Sequence, residues 1–180
     1  MLLKLEEIYN KANYSDEENR ARDFAKIYHY ASGATRRGSG DPYIVHPEGV
    51  ASILKAFTND EILIQAAFMH DLIEDTPVDY DQIVDEINEE SADIVNEVST
   101  IEDEKKRFGK QNAIDRELLI MSDRALSLKL ADNIYNYSDK AGKDQKERIR
   151  HHVAFIKENR KLKKIHKELI EILESLFEYI

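Results

Sequence analysis

Apolar positions recur along the chain at steps of three and four, the spacing of one face of an α-helix. Phe24, Ile27, Tyr28 and Ala31 follow Ser15-Asp16-Glu17-Glu18, which reads as a capping box with Ser15 at the N-cap and Glu18 at N3. Asn59-Asp60 can cap a second helix, in which Ile62, Leu63, Ala66, Ala67 and Met69 give a broad apolar face. Pro47 starts a helix and leaves His46 at its entrance. Further helices are expected near 79–90, 91–101, 111–122, 124–138 and 144–160. The last, 162–179, repeats Leu162, Ile165, Leu169, Ile172, Leu173 and Leu176 and is read as covering the domain's own core. No stretch sustains an apolar/polar alternation, so the expected fold class is all-α.

Two breaks interrupt this pattern. Ser32 to Pro42 holds three of the six glycines and one of the three prolines, which marks a loop by punctuation. Glu102 to Gly109 is a second, charged break. Neither is long enough to split the chain, and 180 residues fit a single domain over 1–180.

Composition narrows the function classes. Absence of Cys excludes a disulfide frame, a thiolate metal site and a cysteine nucleophile. No apolar run approaches the roughly 20 residues of a membrane span. Met1-Leu2-Leu3-Lys4-Leu5-Glu6-Glu7 meets a charge too early for a signal-peptide core, so a cytoplasmic protein with no membrane partner is expected. A net charge of −10 argues against a nucleic-acid partner. The charge is uneven, however: residues 140–167 hold 11 Lys/Arg against 3 Asp/Glu. That stretch is read as a solvated, salt-bridged helix face, with an anionic ligand as the sharper alternative.

The densest ionisable set in an apolar setting is Phe68-Met69-His70-Asp71-Leu72-Ile73-Glu74-Asp75. If the helix continues, Glu74 and Asp75 stack one turn beyond His70 and Asp71. Four polar side chains at one helix end are costly unless a cation binds them, and imidazole with carboxylate suits a divalent metal. His46, and Asp132 inside the mostly apolar Leu126–Asp132 run, extend the set to the order His … His-Asp … Asp. Of the other histidines, His29 is expected to pack or cap on the first long helix. His151, His152 and His166 are expected at the surface.

That order occurs within Arg37-Gly38-Ser39-Gly40-Asp41-Pro42-Tyr43-Ile44-Val45-His46-Pro47, His70-Asp71-Leu72-Ile73-Glu74-Asp75-Thr76 and Leu130-Ala131-Asp132-Asn133-Ile134-Tyr135-Asn136. Together these resemble the HD-superfamily hydrolase domain, and more narrowly the alarmone hydrolase domain of RelA/SpoT-type proteins, over about residues 20–160. The resemblance implies a compact multi-helix HD-domain bundle. It implies one Mn²⁺ held by His46, His70, Asp71 and Asp132, with Glu74 and Asp75 as the water-activating acids. It places Arg37, Ser39 and Asn136 in a nucleotide pocket, to which Arg36 is added as a neighbouring cation. The implied reaction removes the 3′-pyrophosphate of guanosine tetra- or pentaphosphate. Guanine is not separated from adenine by anything in the sequence, so an adenosine alarmone or NADPH remains an alternative substrate. A non-catalytic nucleotide-binding module is the rival from another class.

The sequence departs from the family pattern at two positions. Gly38 stands where bacterial members usually carry lysine, which leaves one positive contact missing or taken over by Arg36. Tyr135 replaces a histidine common in the bifunctional enzymes. With no synthetase or regulatory domain after residue 180, the chain resembles the small hydrolase-only members. Between Asp71 and Asp132 there is no histidine, which disfavours a two-metal site. Oligomeric state is left open.

Overall fold

The computed structural model describes residues 13–36, 39–99, 110–139 and 142–179. Expectations for Met1–Glu7, Arg37, Gly38 and the Glu102–Gly109 break lie outside these residues. The elements are α1 (Asp16–Ser32), α2 (Val45–Lys55), α3 (Glu61–Met69), α4 (Leu72–Asp75), α5 (Tyr80–Glu86), α6 (Glu89–Val98), α7 (Lys110–Ile120), α8 (Asp123–Ser138), α9 (Lys143–Asn159) and α10 (Lys164–Tyr179). Among the described residues there is no strand, only an isolated antiparallel bridge between Thr35 and Pro42. The all-α expectation holds. No described helix is long and apolar enough to cross a membrane.

The chain forms two units, 1–99 and 100–180. In the first, α3 is the central element: every side chain from Leu63 to Met69 is buried, and α1, α2 and α6 pack around it. Such a helix, apolar on all sides, is stable only when enclosed. Ile53, Leu54, Ile64 and Phe68 form the densest part of this core, and Tyr14 meets the Phe68 ring edge-on at 5.1 Å.

The predicted capping box starts α1, with the Ser15 hydroxyl accepting from the Glu18 amide and the Ser15 amide donating to Glu18. Glu18 then does more than cap. Its carboxylate is only 1% exposed and takes two bonds from Lys55 Nζ, at 2.7 and 2.8 Å. The pair ties α1 to α2.

In the second unit α8 packs against α10, and α9 packs against α7, α8 and α10. Leu169, Leu173 and Leu176 of α10 are fully buried, which agrees with the reading of this helix as cover for its own core. The basic stretch is largely spent on structure. Arg160 donates to the carbonyls of Leu118 and Met121 and so closes the C-terminal end of α7. Arg150 donates to the Tyr137 hydroxyl and the Phe177 carbonyl, with its guanidinium 4.5 Å from the Phe177 ring centre. Lys157 pairs with Glu174, and Lys163 with Asp123.

Two histidines differ from expectation. His166 is fully buried; Nδ1 accepts from the Lys163 amide and Nε2 donates to the Asp123 carbonyl, 43 residues away. His152 is also buried, facing Lys129, Asp115, His151 and Arg148, and burial with the Lys129 charge lowers its pKa to about 4. Helical spacing alone puts neither ring inside, since burial depends on helices far away in sequence. Only His151 is exposed, bonded to Asp115 at 3.0 Å.

Replacing Lys55 by Met keeps the apolar stem but leaves the buried Glu18 carboxylate without its cation. Urea unfolding is expected to show a loss of about 3 kcal/mol. The His152 pKa gives a second expectation. The unfolded imidazole protonates near 6.5 and the folded one only near 4, so stability falls as pH drops through this window. Above pH 7 the ring contributes no pH dependence. By pH 5 it accounts for a loss of about 2 kcal/mol, and His152→Phe is expected to flatten the measured slope by that amount.

Candidate metal centre

Three segments of the first unit build the centre. The loop after α1 begins at Gly33, whose left-handed φ of 68° ends the helix, and turns again at Gly40, φ 78°. The Arg36 amide bonds the Asp41 carbonyl and the Tyr43 amide bonds the Ala34 carbonyl. This short ladder delivers Tyr43 and His46 to the start of α2, which begins at Val45, two residues before the expected Pro47, so that Pro47 is the third helical residue of the first turn. His46 sits inside that turn, and its amide donates to the Tyr43 carbonyl at 3.0 Å.

The greasy helix α3 ends one residue before the His-Asp pair. His70 Nδ1 lies 2.9 Å from the Ala67 carbonyl, three residues back. A carbonyl only accepts, so Nδ1 carries a proton, and Nε2 is the nitrogen left to offer a lone pair to a metal. Asp71 is the link to the single turn α4, and its carbonyl accepts from the Asp75 amide. The expected continuous helix is therefore broken at His70-Asp71. Glu74 and Asp75 still follow on the next turn, where both are exposed.

His46 Nε2 lies 3.1 Å from His70 Nε2. Asp71 spans the two rings, with Oδ2 3.3 Å from His46 Nε2 and Oδ1 3.3 Å from His70 Nε2. Both rings are buried. Donor atoms at right angles around one ion, with bonds of about 2.1 Å, stand about 3 Å apart. Two nitrogens and a carboxylate converging at that spacing, one nitrogen fixed as a lone-pair donor, fit a divalent metal. Burial pushes the Asp71 carboxyl up, but the His70 and His46 rings and the Tyr43 hydroxyl outweigh it and hold the group well below the usual carboxylate range. Asp71 is therefore ionised, as a ligand must be. Asp75 moves the other way: burial and the Asp71 charge raise its pKa.

Tyr43 is the residue missed in the sequence reading. Its hydroxyl donates to Asp71 Oδ2 at 2.7 Å, across 28 residues. Position 43, three before His46 in a proline-flanked segment, was the available signal. Arg36 stacks its guanidinium 5.6 Å from the Tyr43 ring centre, while Ser39 is exposed, its hydroxyl accepting from the Asp41 amide. Arg37 lies outside the described residues.

The second unit holds the other two predicted site residues on α8. Asp132 has a largely buried side chain, 12% exposed. Asn136, one turn on, donates to its Oδ1 at 2.5 Å, and Lys129 Nζ lies 3.6 Å from Oδ2. Asn136 thus orients the Asp132 carboxylate, a role its i+4 spacing made readable.

An HD domain family model matches residues 21–156, which includes all four expected ligands. The chain is 32% identical over 167 residues, 91% of its length, to a guanosine-3′,5′-bis(diphosphate) 3′-pyrophosphohydrolase of Aquifex aeolicus. It is 32% identical over 67% of its length to the bifunctional (p)ppGpp synthase/hydrolase SpoT of Escherichia coli. The chain spans about a fifth of the length of either relative, 21% and 18%. A solved structure described as a metazoan ortholog of SpoT that hydrolyzes ppGpp superposes with a TM-score of 0.73 at 21% identity, covering 91% of this chain and 98% of the other. That likeness shows a shared fold. With the family model spanning most of its length, the chain belongs to the HD domain family.

Proposed function

We propose that the chain is a metal-dependent pyrophosphohydrolase that removes the 3′-pyrophosphate of (p)ppGpp, giving GDP or GTP and pyrophosphate, and so relieves stringent-response signalling. The observation that carries this reading is the convergence of His46, His70 and Asp71 on one point, with the acidic pair Glu74 and Asp75 on the adjoining turn. The similarity to relatives named as (p)ppGpp 3′-pyrophosphohydrolases supports the choice of substrate.

In this reading His46, His70, Asp71 and Asp132 hold a divalent cation, and the donor chemistry of two imidazoles and carboxylates suits Mn²⁺. The bound ion would lower the pKa of water and neutralise phosphate charge. The rest is the work of side chains. Asp75 or Glu74 accepts the water proton as the oxygen attacks phosphorus; the raised Asp75 pKa brings its basicity closer to neutral pH. The P–O3′ bond breaks, and the ribose O3′ leaves as a hydroxyl carrying the proton that the acid took from water, while pyrophosphate keeps the water oxygen. Arg36, Arg37 and Ser39 supply cation and hydrogen-bond donors to phosphate on the loop side. Asn136 holds the Asp132 carboxylate in place. A small soluble nucleotide as substrate goes with a cytoplasmic setting.

Purified protein incubated with ppGpp and Mn²⁺ is expected to release pyrophosphate; none from a metal-replete sample overturns the reading. An adenine analogue run in parallel tests base selectivity. Asp71→Ala is expected to abolish both turnover and metal retention. Glu74→Ala is expected to remove turnover while leaving metal bound, as read by elemental analysis after gel filtration.

A further inference from the structure

Tyr43 meets both His46 and Asp71 of the first unit's cluster, although no proposed reaction step uses it. Its backbone carbonyl anchors the His46 amide and its own amide is anchored by Ala34. Its hydroxyl donates to Asp71 Oδ2, the oxygen that also faces His46. A phenol has one proton, and here it goes to the carboxylate that lies beside the two imidazoles.

The ring of Tyr43 is held from several sides. His46 approaches it edge-on, with centroids 5.8 Å apart at 66°. Behind it lies His29 of α1, 5.1 Å away and tilted by 36°. His29 is 1% exposed, and neither of its ring nitrogens has a hydrogen-bond partner. A buried polar ring left unsatisfied is costly and needs a reason in a native fold. Burial lowers its pKa to about 4, so it sits there as a neutral, flat ring. Its ring lies against that of Tyr43.

We propose that Tyr43 is a positioning residue that locks the Asp71 carboxylate across His46 and His70, with the His29 ring bracing it from behind. Only the kinetic part of the test rests on the hydrolase reading. Partners behind metal ligands typically change affinity or activity by roughly 10–100-fold when removed, because a freed ligand must be re-ordered each time metal binds.

The test uses the full chain and Mn²⁺ alone, titrated by calorimetry without nucleotide. Tyr43→Phe keeps the ring and removes the hydroxyl; its Mn²⁺ affinity is expected to fall roughly tenfold or more. With ppGpp at saturating Mn²⁺, kcat is expected to fall by a similar factor while KM stays within about twofold, a split that loss of fold stability does not produce. His29→Ala is expected to weaken Mn²⁺ binding, and His29→Phe to restore it by replacing one flat ring with another. Wild-type affinity in Tyr43→Phe, or equal affinity in the two His29 variants, overturns the proposal, as does a wild-type chain that takes up no Mn²⁺. Should Tyr43→Phe fail to fold, the His29 pair decides. A wild-type chain that binds Mn²⁺ but leaves ppGpp intact overturns the hydrolase reading, and the calorimetry still decides the role of Tyr43.

Discussion

Two imidazole nitrogens 3.1 Å apart, with a carboxylate 3.3 Å from each, form the constraint on which the first unit's architecture depends. Nitrogens at that distance attract only if a proton or a cation lies between them. One proton of His70 is committed to the Ala67 carbonyl, so Nε2 is the nitrogen turned toward His46 and Asp71. Low dielectric around the buried rings strengthens both the repulsion without a cation and the attraction with one. Asp71 supplies the negative charge that makes a cation the better solution.

Holding such a set together needs stiff support on three sides. The fully buried α3 ends in a carbonyl that fixes the His70 tautomer. The Gly33–Gly40 loop, closed by its Thr35–Pro42 bridge, brings the His46 turn to it. The Glu18–Lys55 pair fastens α1 to the far end of α2, so the helix that carries His46 is held at both ends. The break after Met69 lets Asp71 span both rings while Glu74 and Asp75 stay exposed on the next turn. A continuous helix would have placed the four groups in one stack, which was the expectation from spacing.

What could be read in advance was local. The Ser15–Glu18 box is visible because cap and acceptor are three residues apart, and α8, α9 and α10 fall within about two residues of their expected ranges because amphipathic spacing fixes them. Expected helices at 79–90 and 91–101 instead meet at Asn88, whose side chain caps α6 by accepting from the Ser91 amide. The metal-binding types His46, His70 and Asp71 were legible as residue chemistry in a known order. Partners chosen by the tertiary fold were not. Burial of His152 and His166, the Lys55 contact of Glu18 and the bond from Tyr43 to Asp71 all join segments 28 or more residues apart, or depend on helices that sequence spacing leaves unplaced.

The charge pattern shows how one composition serves two purposes. The basic stretch of residues 140–167 is read from sequence as a salt-bridged helix face, and Arg150, Lys157, Arg160 and Lys163 are indeed committed to carbonyls, rings and carboxylates of their own unit. Exposed pairs of this kind add little stability each, but arginines bonded to helix-end carbonyls satisfy groups that would otherwise be stranded. Positive charge facing the Tyr43 ring comes instead from Arg36, on the glycine-punctuated loop beside the centre. In the proposed hydrolase, placing the cation on a short pinned loop and the ligands at buried helix ends separates two demands. Ligand spacing must be rigid to about half an ångström, whereas phosphate recognition tolerates a side chain that swings.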